Sequence, residues 1–509
     1  MWAIYSCFLC LEKPHKPHHG GGLIFNPEFK HDIEGWTLFG HGAMKEGRSQ
    51  DGNRTAEGKL IRGGMAIAKH GCWSLLKGGM VARFSGPVEI LFECKNTKVD
   101  TWVDNVSLQQ FTHEEWRSHQ QKSLNKVRKT DMRFNVTCNN NTPLKGANVT
   151  IKQITSSFPF GCGINHHILT SEAYQNWFAS RFKFATFTNE MKWYSTERAE
   201  DKENYTISDS MLRFAKENGI AVRGHNIFWD NPKQQPSWVK SLSRRALQKA
   251  AAKRINSVVK RYSGKLIAWD VMNENLHFRF YEEKLGENAS AEYYAEAYQL
   301  DPRTRMFMNE YNTIENTRDV NATAVNYVKK LEQILSYPGN KGMLAGIGVQ
   351  GHFGPGHPNL VYMRSALDIL GSTGLPIWLT EVDVERGPNQ ELFFEEILRE
   401  GYSHPAVEGI IIFAGPEAAG FNVTTLAATD FKNTPAGDVV DKLMQNWKTG
   451  TKEITTDTKG FAEVSLFHGD YNVIVTVPKT NDTTTVGFTV TGDNKGAGPE
   501  VFDIHMASC

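Results

Sequence analysis

Between residues 158 and 448, short apolar runs alternate with longer amphipathic stretches, and the alternation repeats eight times. The runs are 158–165, 182–190, 220–229, 266–274, 305–312, 346–353, 376–384 and 409–415. They are largely continuous in hydropathy, as parallel strands buried on both faces must be. The stretches between them, such as SRRALQKAAAKRINSVVKRY and NATAVNYVKKLEQILS, place apolar residues at the three and four spacing of a helix. Eight strand–helix units in succession predict an α/β chain folded as a (β/α)8 TIM barrel. PAGDVVDKLMQNWK would close its helical ring, ending the barrel at 448.

The flanks have a different texture. Residues 23–111 show short apolar runs between Gly-rich turns, which predict an all-β N-terminal appendage. Residues 112–157 predict a linker helix and then a β-hairpin turning at Asn139 to Pro143. Residues 449–509 return to period-two alternation in FAEVSLF, YNVIVTV and VGFTVTG, and predict a small C-terminal β module. That module shares a sandwich with 131–156 if the barrel is an insertion between its halves. Two separate appendages are the alternative.

Barrels of this kind carry their active sites at the C-terminal ends of the strands. Polar residues stand at that end of six predicted strands. Asn189, Lys192 and Trp193 follow the second, His225 lies on the third, and Asn273 and Glu274 end the fourth. Tyr311 ends the fifth, Gln350 and His352 the sixth, and Glu381 the seventh. A lone carboxylate at a strand end is ordinarily a salt-bridge partner or a solvated rim. Glu274 and Glu381 differ because they sit directly in apolar runs, IAWDVMNE and IWLTE, and because amides, imidazoles and rings converge on the same mouth.

Carboxyls on strands four and seven face each other across an eight-stranded barrel. Glycoside hydrolysis needs such a pair, about 5–5.5 Å apart for retention and roughly 6.5–9.5 Å for inversion. One carboxyl must stay protonated through burial or a neighbouring charge, and the other must stay ionised. This chemistry requires no metal and no other cofactor.

At these residues the sequence resembles glycoside hydrolase family 10, the endo-β-1,4-xylanases, in its plant form. WDVMNE at 269–274 is similar to the family's acid/base motif, and WLTEVDV at 378–384 to its nucleophile motif. NEMKW at 189–193, RGHNIFW at 223–229, MNEYN at 308–312 and GVQGHF at 348–353 match other family segments in order. The resemblance covers 158–447. It implies a retaining endo-hydrolase of β-1,4-xylosidic linkages in xylan, acting in plant cell-wall metabolism, with Glu274 as general acid/base and Glu381 as nucleophile. It also implies that Asn273 hydrogen-bonds the sugar 2-hydroxyl, that His352 orients Glu381, and that Gln350 and Tyr311 line the cleavage subsite. Lys192, Asn189 and His225 would bind xylosyl hydroxyls on the non-reducing side, with Trp193 and Phe413 also lining the site.

The pattern has departures. Thr188 stands where the family often has Glu, Asp230 where it has a second His, and Phe413 where it has Trp. The loop after Phe413, AGPEAAGFNVTTLAATD, lacks the aromatic and Cys residues frequent there. These changes predict altered substrate binding. They leave open another β-1,4-glycan, glycosyl transfer to a sugar acceptor, or a carbohydrate-binding role with impaired catalysis. NPEF, EGW and WVDNVSLQQF are similar to the ends of a family 22 carbohydrate-binding module. The span from Leu23 to Phe111 is short for that module, and its middle lacks the expected strand-rich aromatic stretch, so a truncated sandwich is expected.

Composition narrows the partners. A net charge of +1 over 509 residues gives no electrostatic footprint for nucleic acid. No run approaches the eighteen or so apolar residues of a membrane span. Cys7 and Cys10 form a CxxC pair without a second pair nearby, so a metal site is not expected, and the odd count of seven leaves at least one thiol unpaired. Ten N-x-S/T triplets, at Asn53, Asn105, Asn135, Asn140, Asn148, Asn204, Asn288, Asn321, Asn422 and Asn481, point to a secreted glycoprotein, and the resemblance implies that it acts in the cell wall. Residues 1–22 read as an incomplete signal peptide, with a short apolar run but no basic start. A monomer is expected.

Overall fold

The computed structural model describes residues 13, 16, 18–31, 35, 63–66, 70–82, 90–94, 98, 101–139, 141–477, 480–492 and 498–507. Helix α1 (His113–Arg128) and strands β1 (Lys129–Cys138) and β2 (Asn148–Gln153) precede the barrel. The first five barrel strands are β3 (Phe160–Ile164), β4 (Phe184–Phe187), β5 (Ala221–Trp229), β6 (Ala268–Asn273) and β7 (Arg305–Glu310). They are followed by β8 (Ala345–Val349), the two-residue β9 (His352–Phe353), β10 (Ile377–Val384) and β11 (Val407–Ile412). Helices α2 (Glu172–Ala179), α3 (Trp193–Thr196), α4 (Thr206–Glu217), α5 (Arg244–Tyr262) and α6 (Phe280–Leu285) alternate with the early strands. Helices α7 (Ala289–Leu300), α8 (Ala324–Leu335), α9 (Leu360–Gly371), α10 (Gln390–Ser403) and α11 (Pro435–Asn446) complete the ring, with β12 (Ala414–Pro416) and β13 (Thr424–Ala427) in the last loop.

The strand order β11-β3-β4-β5-β6-β7-β8-β10, closed by pairing of β10 with β11, makes a parallel eight-stranded barrel. Every residue of β6 and β8 is buried, which is why these segments are apolar in sequence apart from Asp270 and Asn273. Ser243, Thr323 and Thr434 start α5, α8 and α11 by accepting from the N–H groups of Ala246, Asn326 and Gly437.

Inside the barrel, a column of charge rises toward the mouth. Arg223 donates to Asp270 at 2.6 Å and lies over the rings of Phe307 and Trp378, 4.5 and 5.2 Å from their centroids. The other Asp270 oxygen meets His225 Nδ1 at 2.9 Å. All three polar residues are essentially inaccessible. Buried charges persist only when paired, so this column fixes the ring of His225. Gly409 makes room for the Trp378 ring, since a Cβ there would fall 2.5 Å from it.

The remaining strands are β14 (Thr451–Thr455), β15 (Phe461–Phe467), β16 (Gly469–Thr476), β17 (Thr483–Val490) and β18 (Glu500–Met506). The hairpin expected within 112–157 does not form. β1 pairs with β15 and β18, whereas β2 lies between β14 and β16. The two sheets share one core that includes Phe134, Val136, Val149, Ile151, Tyr471 and Val473. Segments on both sides of the barrel therefore build one sandwich, and the C-terminal strands are not a separate module. The physical reason is that β1 and β2 each have one apolar face, which each must bury against the other sheet.

Among the described residues before 112, the backbone forms the isolated bridges Gly22–Leu108 and Gly64–Gly78 and a short 3-10 turn. These segments touch the barrel through Lys77–Asp368 at 3.2 Å and through Asn359, which donates to the Gly79 carbonyl at 3.1 Å. Most of residues 1–22 with the Cys7–Cys10 pair, Glu34 and Trp36 of EGW, the stretch 36–62 with the Asn53 triplet, Asn140 and Cys509 lie outside the described residues. Cys72 and Cys138 each take part in a disulfide bond. Cys162 is a buried thiol directed at the Ala414 carbonyl. Among the described residues no helix is long and apolar enough to cross a membrane.

Candidate active site

The strand ends bring Glu274 and Glu381 to one buried mouth, 8 % and 6 % exposed. Glu274 follows β6 in a left-handed backbone conformation, φ 63°, with its N–H donating to the Asn309 carbonyl at 2.9 Å. Such a conformation is uncommon outside glycine and is retained where the surroundings enforce it. Gln350 donates to Glu274 Oε1 at 3.3 Å. The Trp229 indole N–H lies toward the same carboxyl without meeting hydrogen-bond geometry. Burial raises the Glu274 pKa, and the negative charge of Glu381 adds to the rise.

Glu381 sits in β10. Asn309 donates to its Oε1 at 2.8 Å, His352 Nε2 lies 3.7 Å from Oε2, and His225 Nε2 lies 4.0 Å from Oε1. Burial alone would raise this carboxyl, but His225, His352 and Lys192 outweigh it and hold Glu381 well below the usual carboxylate range. His352 Nδ1 is held by Asp383 at 2.9 Å. Burial works against the charged form of this ring, yet Asp383 and Glu381 keep the imidazolium stable well above its ordinary range. The two carboxyls thus sit in one site with opposite protonation preferences.

Amides join the two halves. Asn309 donates to both Asn273 Oδ1 and Glu381, and Thr380 donates to Asn309 Oδ1 at 2.6 Å, which fixes the flip. Gln350 also approaches Asn273 Oδ1, at 3.5 Å. Lys192 is buried with its ammonium 4.5 Å from the Trp229 ring centroid. Burial lowers its pKa against the pull of Glu381 and Glu274. Asn189 is exposed at the rim and accepts from the Tyr194 hydroxyl at 2.7 Å. Tyr311 stacks on His277, with centroids 3.9 Å apart. Phe413 stands edge-on to His352 at 6.0 Å.

The structure therefore gathers Asn189, Lys192, His225, Asn273, Glu274, Tyr311, Gln350, His352, Glu381 and Phe413 at the C-terminal end of the barrel. Trp193 is the exception. It is 4 % exposed, donates its indole N–H to Glu197 at 2.8 Å and packs against Phe228 and Trp238. It is a packing residue instead of a sugar platform, because its helix turns the ring inward. Sequence reasoning left Asn309, Asp270, Asp383 and His277 out of the site. Asn309 had a signal, its place at a strand end in MNEYN; His277 had none. Among the described residues no cluster of three or more His, Cys, Asp or Glu could hold a metal ion.

A parallel barrel with two buried carboxyls at its mouth, one shifted up and the other down, defines the class of barrel glycoside hydrolases. The chain belongs to glycosyl hydrolase family 10, whose profile matches residues 150–410. It is 50 % identical over 503 residues to "Endo-1,4-beta-xylanase 5-like" of Arabidopsis thaliana, covering 92 % of this chain and 88 % of that protein. It is 48 % identical over 442 residues to "Endo-1,4-beta-xylanase 4" of the same plant, covering 84 % and 78 %. Among solved structures, xylanase 10B from Thermotoga petrophila RKU-1 in complex with xylobiose superposes with a TM-score of 0.51 at 22 % identity, covering 57 % of this chain and 94 % of that one, a likeness of fold.

Proposed function

We propose that the protein is a retaining endo-1,4-β-xylanase, with Glu274 as general acid/base and Glu381 as nucleophile. The observation that carries the reading is the opposed environment of the two carboxyls: burial raises the pKa of Glu274, while two imidazoles and an ammonium hold Glu381 well below the usual carboxylate range. Glu381 attacks the anomeric carbon while Glu274 protonates the departing sugar oxygen, giving a covalent glycosyl-enzyme. Glu274, now ionised, takes a proton from water as the water attacks the same carbon, and Glu381 leaves with retention of configuration. Asn309 holds Glu381 and turns the Asn273 amide toward the sugar 2-hydroxyl. The names of the plant relatives support xylan as the substrate.

We further propose that the protein acts outside the cell, on the cell wall, as a glycosylated monomer. The exposed triplet asparagines Asn148, Asn204, Asn288, Asn321, Asn422 and Asn481 and the disulfide-bonded Cys72 and Cys138 support secretion. A second reading, the same chemistry on another β-1,4-glycan, draws on one feature. Thr188, Phe413 and Phe421 form an apolar wall around Gly163, whose Cβ would lie 3.4, 3.5 and 3.6 Å from them. A wall of this kind offers no charged acceptor for a sugar hydroxyl.

The test is release of reducing sugar from glucuronoarabinoxylan by wild type and by Glu381→Ala. Activity in wild type and none in the variant is expected. Activity retained by Glu381→Ala would remove it as nucleophile. A wild type inactive on xylan but active on another β-1,4-glycan would favour the second reading.

A further inference from the structure

The loop after β6 carries Glu274 and reaches α6 six residues later. Within it stands His277, with its side chain only 10 % exposed. Its Nδ1 lies 2.7 Å from Glu310 Oε1, and its Nε2 lies 2.7 Å from Asp319 Oδ2. A neutral imidazole has one donor and one acceptor, so between two ionised carboxyls it would turn a lone pair on one of them; burial pushes Glu310 up to about 7, and His277 itself and the Leu276 N–H oppose its protonation. Both contacts are favourable when both nitrogens carry hydrogen, which makes each a charge-assisted bond.

The carboxylates are themselves anchored. Glu310 is fully buried, accepts the Leu276 N–H at 2.8 Å and accepts the Tyr311 N–H at 3.1 Å. Asp319 accepts from the Asn312 amide at 2.8 Å and from the Asn321 N–H at 3.1 Å. His277 also lies flat against Tyr311, the planes 13° apart. An imidazolium on a phenol ring adds cation–π attraction to the contact. Among the described residues, the titratable groups in contact with His277 are thus Glu310 and Tyr311, from the end of β7, and Asp319, from the loop beyond. Glu274, at the head of the same loop, acts electrostatically on both Glu310 and Tyr311.

We infer that His277, held as an imidazolium between Glu310 and Asp319, is a positioning residue that fixes the Tyr311 ring and the loop presenting Glu274. The inference rests on the reading of Glu274 as acid/base. One face of Tyr311 is covered by His277, which leaves the ring a single pose beside the acid. The clamp ties three segments together, the Glu274 loop, the end of β7 and the 319–322 loop. Its loss lets the acid drift from the glycosidic oxygen without removing any group that binds the sugar.

The test uses the full chain and two variants, His277→Gln and Asp319→Asn. Imidazole 15N shifts of wild type, assigned by the resonance lost in His277→Gln, should show both ring nitrogens protonated near neutral pH. A neutral tautomer there overturns the inference. On xylohexaose, His277→Gln should lose about tenfold or more in kcat with KM changed much less. The loss should be smaller on an aryl xylobioside, whose leaving group needs little protonation. Asp319→Asn should lose kcat in the same direction but less, and the 15N shifts of its His277 should pass to the neutral form at lower pH than in wild type, because the imidazolium keeps only one carboxylate. Wild-type kcat in folded His277→Gln overturns the inference, and if that variant does not fold, wild-type kinetics in Asp319→Asn do so. A wild type that leaves xylohexaose intact counts against the functional reading alone, and the 15N shifts still decide the state of His277.

Discussion

Glu274 and Glu381 share a mouth, yet their surroundings shift the two carboxyls in opposite directions. The proposed mechanism requires Glu381 ionised and Glu274 protonated. The acid limb of the pH profile therefore falls where Glu381 gains its proton, well below the ordinary carboxylate range, because two imidazoles and Lys192 oppose protonation. The alkaline limb falls where Glu274 loses its proton, above the ordinary 4.5, because burial and Glu381 oppose ionisation. Glu274→Gln should lower turnover of xylan by about 10²–10⁴-fold, the usual worth of a general acid, and cost far less in the first step on aryl glycosides with good leaving groups. Equal losses on both substrates would contradict the acid assignment. The same coupling predicts a change during turnover. Once Glu381 is esterified it no longer carries the charge that raises Glu274, so the Glu274 pKa should fall in the intermediate, suiting it to act as base. Carboxyl 13C titration before and after trapping Glu381 with a 2-fluoro glycoside measures this. An unchanged Glu274 titration would show that burial alone sets its value.

At the scale of elements, the ends of strands and the starts of helices are tied by buried acids. Asp230 directly follows β5. Its N–H donates to the Asn273 carbonyl at 2.9 Å, and its Oδ1 accepts the Tyr281 N–H at 3.1 Å in the first turn of α6. Burial pushes this carboxyl up to about 8 from 3.8. The folded chain thus binds the proton more tightly than the unfolded chain, so its contribution to stability is full below 3.8 and is lost as pH rises through about 8. Asp230→Asn keeps the acceptor and has no proton to lose. The melting temperature of the variant should gain on wild type progressively as pH rises through that window, and a constant difference would show that Asp230 is not held neutral. Ties of this kind were not legible in the sequence. The barrel strands were, because burial on both faces makes runs such as AWDVMN apolar throughout except where a charge is wanted. Glu274 and Glu381 were legible for the same reason. The partners of β1 and β2 were less so, since period-two alternation says which face is buried but not which strand lies alongside. Trp193 misled because an aromatic next to a polar motif reads alike whether its ring faces the cleft or the core. His277 could not be found, because its role depends on Asp319, which comes close only once the loops have folded.

At the scale of the whole molecule, the sandwich and the barrel meet at the end of the barrel opposite the site. Arg128, the last residue of α1, leads directly into β1 and donates to the carbonyls of Tyr402, His404 and Val407, at 2.8, 3.0 and 2.5 Å. Its guanidinium lies 4.4 Å from the Phe158 ring centroid and 5.1 Å from that of Tyr402. Higher up the same helix, Trp116 and Gln120 donate to Glu400 of α10, at 2.9 and 2.7 Å. The carbonyls that Arg128 caps connect α10 to β11, so one side chain joins the first strand of the sandwich to the last strand of the barrel. Arg128→Ala leaves those carbonyls short of donors and removes the cation from two rings. The cost should be about 2–5 kcal/mol, the range for losing one partner of a buried charged hydrogen-bond network. Water reaching a half-buried site would place the value toward the low end. Residues at this end of a TIM barrel serve stability, while those at the other end serve chemistry. The melting temperature of Arg128→Ala should therefore fall, while kcat on xylan, measured well below that temperature, stays at the wild-type value. A fall in kcat without a fall in melting temperature would mean that the sandwich acts on the mouth through the barrel wall.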